Sequence, residues 1–270
     1  IDSFKELKPN EIYVSATENK NIFELKEKIG AFAKVKAETR VIVSDLVEKG
    51  DVVILVTPID ESAPKGRIIL PQQMTLRELL DSNCTAIVCQ PAELQSTVNS
   101  LKNKPKLVIT DSQVFGFVSK ALPDDIPLTS FSILMARYKG DLETLVNGAV
   151  ALKETKDGDK ILISEGCTHH RQCNDIGTVK IPGWIRAYSN AEPEFCFTSG
   201  GEFPRDLDGI SLVVHCGGCM LNEKEMKSRM DFCRESKTPI VNYGVAIAAM
   251  NGILKRSLEI FPDLLNKINL

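Results

Sequence analysis

Residues Ser211-Leu212-Val213-Val214-His215-Cys216-Gly217-Gly218-Cys219 decide the fold class. Ser211–Val214 is a short, largely apolar run, suited to a strand covered on both faces. Residues of metal-ligating type follow it at once. The stretch Lys160-Ile161-Leu162-Ile163-Ser164-Glu165-Gly166-Cys167-Thr168-His169-His170 has the same design. Lys160–Ile163 reads as a strand, and cysteine and histidine come after it. In an open parallel sheet, ligands collect outside the carboxyl ends of the strands. Two ligand motifs at two such ends can converge on one point although they lie far apart in the chain.

The alternation of strand and helix continues on either side. Val52–Val56, Ala86–Cys89 and Leu107–Thr110 are apolar runs expected as strands buried on both faces, with helices at Thr75–Leu80 and Ala92–Leu101 between them. Pro239–Val241 reads as a further strand; Thr129–Val150 and Val245–Phe261 read as mostly helical. After the cysteine pair, Asn222 can cap a helix and Glu225 can reach back to complete the cap. Met226, Met230 and Cys233 then share one face. This alternation implies parallel sheets. Pro123-Asp124-Asp125-Ile126-Pro127 is polar, and its two prolines cannot continue regular structure, so it is the expected boundary. The expected fold class is α/β, with two domains, 36–128 and 129–270, each a mainly parallel sheet flanked by helices. Residues 1–35 read as a short extended run, Glu11–Val14, followed by a helix, Asn21–Phe32.

The bulk numbers narrow the function classes. The 270 residues are 43% hydrophobic and 26% charged, with a net charge of −3, ordinary for a soluble globular protein. No basic run offers a nucleic-acid face, and no apolar stretch approaches the roughly 18 residues that span a bilayer. The chain starts at Ile1 without a secretory signal, so a fragment or processed piece is expected. Its 8 cysteines are unevenly placed. In a chain large enough to build its own core, that favours a reducing, cytoplasmic compartment and metal binding over a disulfide framework.

All 3 histidines lie in the two ligand segments. Cys167, Cys216 and Cys219 are the candidate metal ligands. Gly217 and Gly218 lack a Cβ and let the backbone approach a bulky cofactor. The spacing alone leaves an iron–sulfur cluster and zinc both open. His169 and His215 are candidates for ligand, second-shell donor or proton carrier. Glu165, Asp175 and Glu202 are carboxylates able to approach an open iron, and Cys173 is a further candidate in the polar loop. Cys84, Cys89, Cys196 and Cys233 are expected to be core residues. A zinc-dependent hydrolase with Glu165 as base, or a dimerisation module stabilised by zinc, are the alternatives from other classes.

At the amino end, a short strand, Ser15-Ala16-Thr17 and then a helix resemble the last guanine-contacting loop of small GTPases, yet the chain has no G-x-x-x-x-G-K-S/T phosphate loop. The whole chain resembles one family. Cys167-Thr168-His169 with His215-Cys216-Gly217-Gly218-Cys219 is similar to the C-x-H and H-C-x-x-C motifs of the [FeFe]-hydrogenase maturation factor HydF. Pro58-Ile59-Asp60, Ala63-Pro64-Lys65-Gly66-Arg67, Thr110-Asp111-Ser112-Gln113 and Lys139-Gly140-Asp141-Leu142 look like that family too.

The resemblance implies a remnant of the GTPase domain in 1–35, a dimerisation domain in 36–128 and an iron–sulfur cluster-binding domain in 129–270. It implies a homodimer that carries a [4Fe-4S] cluster on Cys167, Cys216 and Cys219. It further implies receipt of a diiron precursor, its delivery to the apo-[FeFe]-hydrogenase, and work alongside the radical-SAM maturases HydE and HydG. GTP would be bound only by the full-length protein, with Ser15 and Ala16 as the nucleotide-binding remnant. This segment is not expected to be catalytic by itself.

Overall fold

A computed structural model describes residues 11–33, 40–59, 66, 68–166, 175–218 and 221–268. These residues divide into two compact units, with the border between Arg40 and Val41.

In the first unit, Ser15 and Lys20 form an isolated antiparallel bridge, and helix α1 follows at Ile22–Ala33. The expected extended run Glu11–Val14 pairs with no described strand. Asn21 sits at φ 56° just before α1, in the left-handed region that asparagine tolerates. Its amide donates to the Tyr13 carbonyl at 2.9 Å.

The second unit runs β1 (Val52–Val56), α2 (Leu70–Asp81), β2 (Thr85–Cys89), α3 (Leu94–Ser100), β3 (Leu107–Thr110), α4 (Phe115–Ala121) and β4 (Leu128–Ser130). Helices α5 (Phe131–Lys139) and α6 (Leu142–Lys153) lead to β5 (Lys160–Glu165), α7 (Ile181–Ser189), β6 (Glu194–Ser199), β7 (Ile210–His215), α8 (Glu223–Glu235) and β8 (Ile240–Asn242). Helices α9 (Tyr243–Met250), α10 (Leu254–Leu258) and α11 (Pro262–Lys267) close it. The strands form two four-stranded, all-parallel sheets, ordered β2-β1-β3-β4 and β6-β5-β7-β8. The α/β expectation therefore holds.

The period of two along each strand builds the core. On the first sheet, Val53, Leu55, Leu107 and Ile109 face α2 and α5, while Ile54, Val56 and Val108 face α3 and α4. Helix α5 serves both sheets: Phe131 and Leu134 pack on the first core, Ile133 and Ala136 on the second. The return of the C-terminal helices ties the sheets further. Thr129 Oγ1 donates to the Ser257 carbonyl at 2.8 Å, and Arg256 donates to the Ile126 carbonyl at 2.9 Å.

Three expectations need correction. The stretch Thr129–Val150 opens as a strand, β4, and its helix breaks at Gly140 into α5 and α6. Ala86–Cys89 is part of an edge strand, half-exposed rather than covered on both faces. Cys196 is exposed rather than core, because β6 is the edge of its sheet. Cys84 and Cys233 are buried as expected, and burial pushes the Cys233 thiol up to about 12.

Candidate metal centre

In each sheet the chain leaves the first strand toward one edge and later returns on its other side. The crevice at that reversal, outside the carboxyl ends of the two central strands, is where this class of sheet binds ligands. In the second sheet the central strands are β5 and β7, with Ser164 in register with His215. Just beyond them, the Cys216 amide donates to the Ser164 carbonyl at 2.9 Å. The Gly166 amide donates to Cys216 Sγ at 3.0 Å, and the Gly218 amide approaches the same sulfur at 3.4 Å. The two sequence motifs therefore meet at Cys216. Cys167, His169, Cys173 and Cys219 lie outside the described residues.

Two backbone N–H groups aimed at one sulfur complement the negative charge of a thiolate. The loop is shaped for this. Gly218 has φ +61°, and a Cβ there would meet Met226 Sδ at 2.6 Å. A Cβ on Gly166 would meet the Leu221 side chain at 2.6 Å. Lys139, at the end of α5, is only 8% exposed and donates from Nζ to the carbonyl of Gly218 at 2.7 Å and, more weakly, to that of Leu221 at 3.4 Å. A buried ammonium thus ties the cysteine loop to α5. Asn222 caps α8 as expected, accepting the Glu225 amide at 2.9 Å. The Glu225 carboxylate does not turn back to the cap; it binds Arg229 Nε at 2.8 Å.

His215 is fully buried, and Arg229 is 2% exposed. His215 Nδ1 lies 2.7 Å from the Cys216 carbonyl, and Nε2 lies 3.0 Å from Arg229 Nη1. Burial pushes the imidazole down to about 4, opposed by its hydrogen bond to Cys216 and assisted by the Arg229 charge, so it is neutral at pH 7. Glu165 ends β5 and is also buried, and Tyr243 OH donates to its Oε1 at 3.3 Å. Burial first, then the charge of Glu165, raises the Tyr243 phenol well above its usual range, so it remains a donor. Asp175 Oδ2 accepts the amides of Gly177 at 3.1 Å and Thr178 at 2.9 Å, capping the turn that leads into α7. Glu202 lies exposed in the loop after β6. Among the described residues, no three His, Cys, Asp or Glu side chains are grouped to hold a metal ion.

Beside the cysteine loop, a cavity of about 140 Å³ separates the carboxyl ends of the two sheets, lined by Ile69, Pro71, Asp111, Ser132, Gly217 and Gly244 among others. At the first sheet's end, Gln72 donates to Asp111 at 3.0 Å, and Ser132 is hydrogen-bonded to Ser112 and Ser130.

Comparison with known proteins bears on this pairing of sheets. Residues 42–140 match the hydrogen maturase F dimerization domain, and residues 143–260 match the hydrogen maturase F tetramerization domain. The chain belongs to the hydrogen maturase F family. Its domains are domains of hydrogenase maturation and of oligomerization. No curated protein sequence matches it. Among solved structures, a 5,10-methylenetetrahydrofolate dehydrogenase from the silkworm Bombyx mori aligns at 10% identity. That alignment covers 90% of this chain and 94% of that one, with a TM-score of 0.24.

Within this hydrogen maturase F chain, the sequence pointed to His215, Cys216 and Glu165, and the structure brings all three to the ends of β5 and β7. Sequence reasoning missed Arg229, Lys139 and Tyr243. One signal for Arg229 was available: it falls three residues after Met226, on the apolar stripe of α8, where a charge calls for a partner. Ser15 and Ala16 lie in the first unit, at the bridge before α1. No helix among the described residues is long and apolar enough to cross a membrane.

Proposed function

We propose that this chain is a scaffold in [FeFe]-hydrogenase maturation. It binds a [4Fe-4S] cluster through Cys167, Cys216 and Cys219, accepts a diiron precursor as cargo and delivers it to the apo-hydrogenase. The observation that carries this reading is the Cys216 sulfur at the reversal point of the second sheet, with the amides of Gly166 and Gly218 directed at it. The residues fit the group: soft sulfur ligands suit iron–sulfur chemistry, and N–H donors to sulfur stabilise an anionic cluster. When bound, the cluster supplies an iron that no cysteine holds, at which a donor of the cargo can bind and leave. The chain's own groups do the rest. Lys139 fixes the loop of Gly218 and Leu221, and Gly218 keeps the backbone close to the sulfur. Tyr243 orients the Glu165 carboxylate. The candidates for the fourth iron position are Glu165, Asp175, Glu202, His169 and His215. HydE and HydG are the partner maturases, GTP belongs to the full-length protein, and the compartment is the reducing cytoplasm.

The test is anaerobic reconstitution of the 270-residue chain, followed by iron and sulfide analysis and EPR of the reduced protein. A brown, oxygen-labile protein with iron and sulfide in equal amounts supports the scaffold. A colourless protein that retains zinc would replace it with a zinc-stabilised module.

A further inference from the structure

A buried guanidinium needs every donor satisfied and its charge matched. Arg229 meets that demand on three sides. Its Nε donates to the Glu225 carboxylate at 2.8 Å, its Nη2 donates to the Gly200 carbonyl at 3.2 Å, and its Cζ lies over the Phe203 ring, 5.0 Å from the ring centre. The fourth side is Nη1, 3.0 Å from His215 Nε2. Guanidinium only donates, so Nε2 must be the ring nitrogen with the lone pair. The ring proton then sits on Nδ1 and is donated to the Cys216 carbonyl at 2.7 Å. These hydrogen positions follow from the donors present. Imidazole binds iron only through a nitrogen lone pair. In this arrangement Arg229 occupies that lone pair and a proton occupies the other nitrogen.

We propose that Arg229 is a positioning residue that occupies the Nε2 lone pair of His215, withdraws the ring from iron and leaves it as a tether on the backbone of Cys216. His215 sits one residue from the proposed ligand, and Phe203 packs beside it with ring centres 6.4 Å apart. The imidazole is thus held by the carbonyl ahead of it, the guanidinium behind it and an aromatic ring at its side. The consequence is a division of labour between the motif histidines: His215 sets the loop's position, and the exchangeable iron position falls to another group. This inference rests on the reading of Cys216 as a ligand.

The test labels the histidines with 15N and reads the apoprotein by two-bond 1H–15N correlation, with His215→Gln assigning the signal. The wild type should show His215 neutral with the proton on Nδ1. Arg229→Met should keep the proton on Nδ1, where the Cys216 carbonyl accepts it, and shift the Nε2 resonance because that lone pair loses its donor; Arg229→Lys, which keeps a donor, should restore the wild-type shift. A wild-type His215 protonated on Nε2 overturns the proposal. In the reduced, reconstituted protein, pulsed EPR should find no 15N coupling from His215. Arg229→Met should gain one that Arg229→Met/His215→Gln loses. A wild-type coupling abolished by His215→Gln also overturns the proposal. If Arg229→Met does not fold, the two wild-type measurements still decide. If the chain takes up no cluster, the scaffold reading fails, while the apoprotein spectrum still decides the role of Arg229.

Discussion

The two sheets share one strand order and carry different chemistry at the same topological place. Outside β5 and β7 stand Gly166 and Cys216, with amides directed at a sulfur. Outside β1 and β3 the corresponding crevice is bordered by Asp111 and Ser112, which are engaged with the protein itself. Gln72 holds Asp111, and Ser112 pairs with Ser132. A doubly wound sheet supplies the crevice, and the first residues beyond the strands decide what the crevice holds. The second sheet ends in a cysteine and glycines; the first ends in side chains that satisfy one another.

The second sheet is most vulnerable where α6 covers it. A Cβ on Gly148 would lie 2.0 Å from the Ile240 carbonyl oxygen, a backbone atom that cannot step aside. Gly148→Ala should cost about 3 kcal/mol, the upper end of ordinary overpacking. Urea unfolding checks this, and a cost below about 0.5 kcal/mol would mean the helix slides freely on β8. Next comes Lys139→Met, which leaves the carbonyls of Gly218 and Leu221 without this donor. It should lose about 1–3 kcal/mol and release iron faster under a chelator. Unchanged iron release would show that the loop holds its shape without the ammonium. Gly218→Ala forces a side chain into φ +61° and against Met226, for about 1–2 kcal/mol by the same unfolding assay. At the first sheet, Ser112→Ala removes one partly buried hydroxyl contact and should cost only about 0.5–1 kcal/mol, with iron content unchanged. A loss of iron in that variant would mean the two crevices are coupled through the cavity between them.

Much of this was legible in the sequence, for physical reasons that differ by element. Val52–Val56, Leu107–Thr110, Lys160–Ile163 and Ser211–Val214 are central strands, and burial on both faces makes their sequences continuous and apolar. Leu128–Ser130 is hidden because three residues of strand run directly into helix α5. Cys196 lies between two phenylalanines, so it reads as core, yet an edge strand leaves it exposed. At the site, Cys216 and His215 carry their chemistry in their names. Arg229 and Lys139 do not, since long cations on helices usually lie in solvent. Glu225 reads as a capping residue by spacing, but a buried guanidinium one turn away is the stronger partner for its carboxylate.

On the scaffold reading, the carboxyl end of the second sheet, and not that of the first, holds the cluster. The most direct measurement is iron and sulfide content after anaerobic reconstitution of Cys216→Ser beside Asp111→Asn, with the wild type as reference. Cys216→Ser should lose its stable cluster and its EPR signal while Asp111→Asn keeps both at the wild-type level. Wild-type iron content in Cys216→Ser, or loss of the cluster in Asp111→Asn alone, would contradict it.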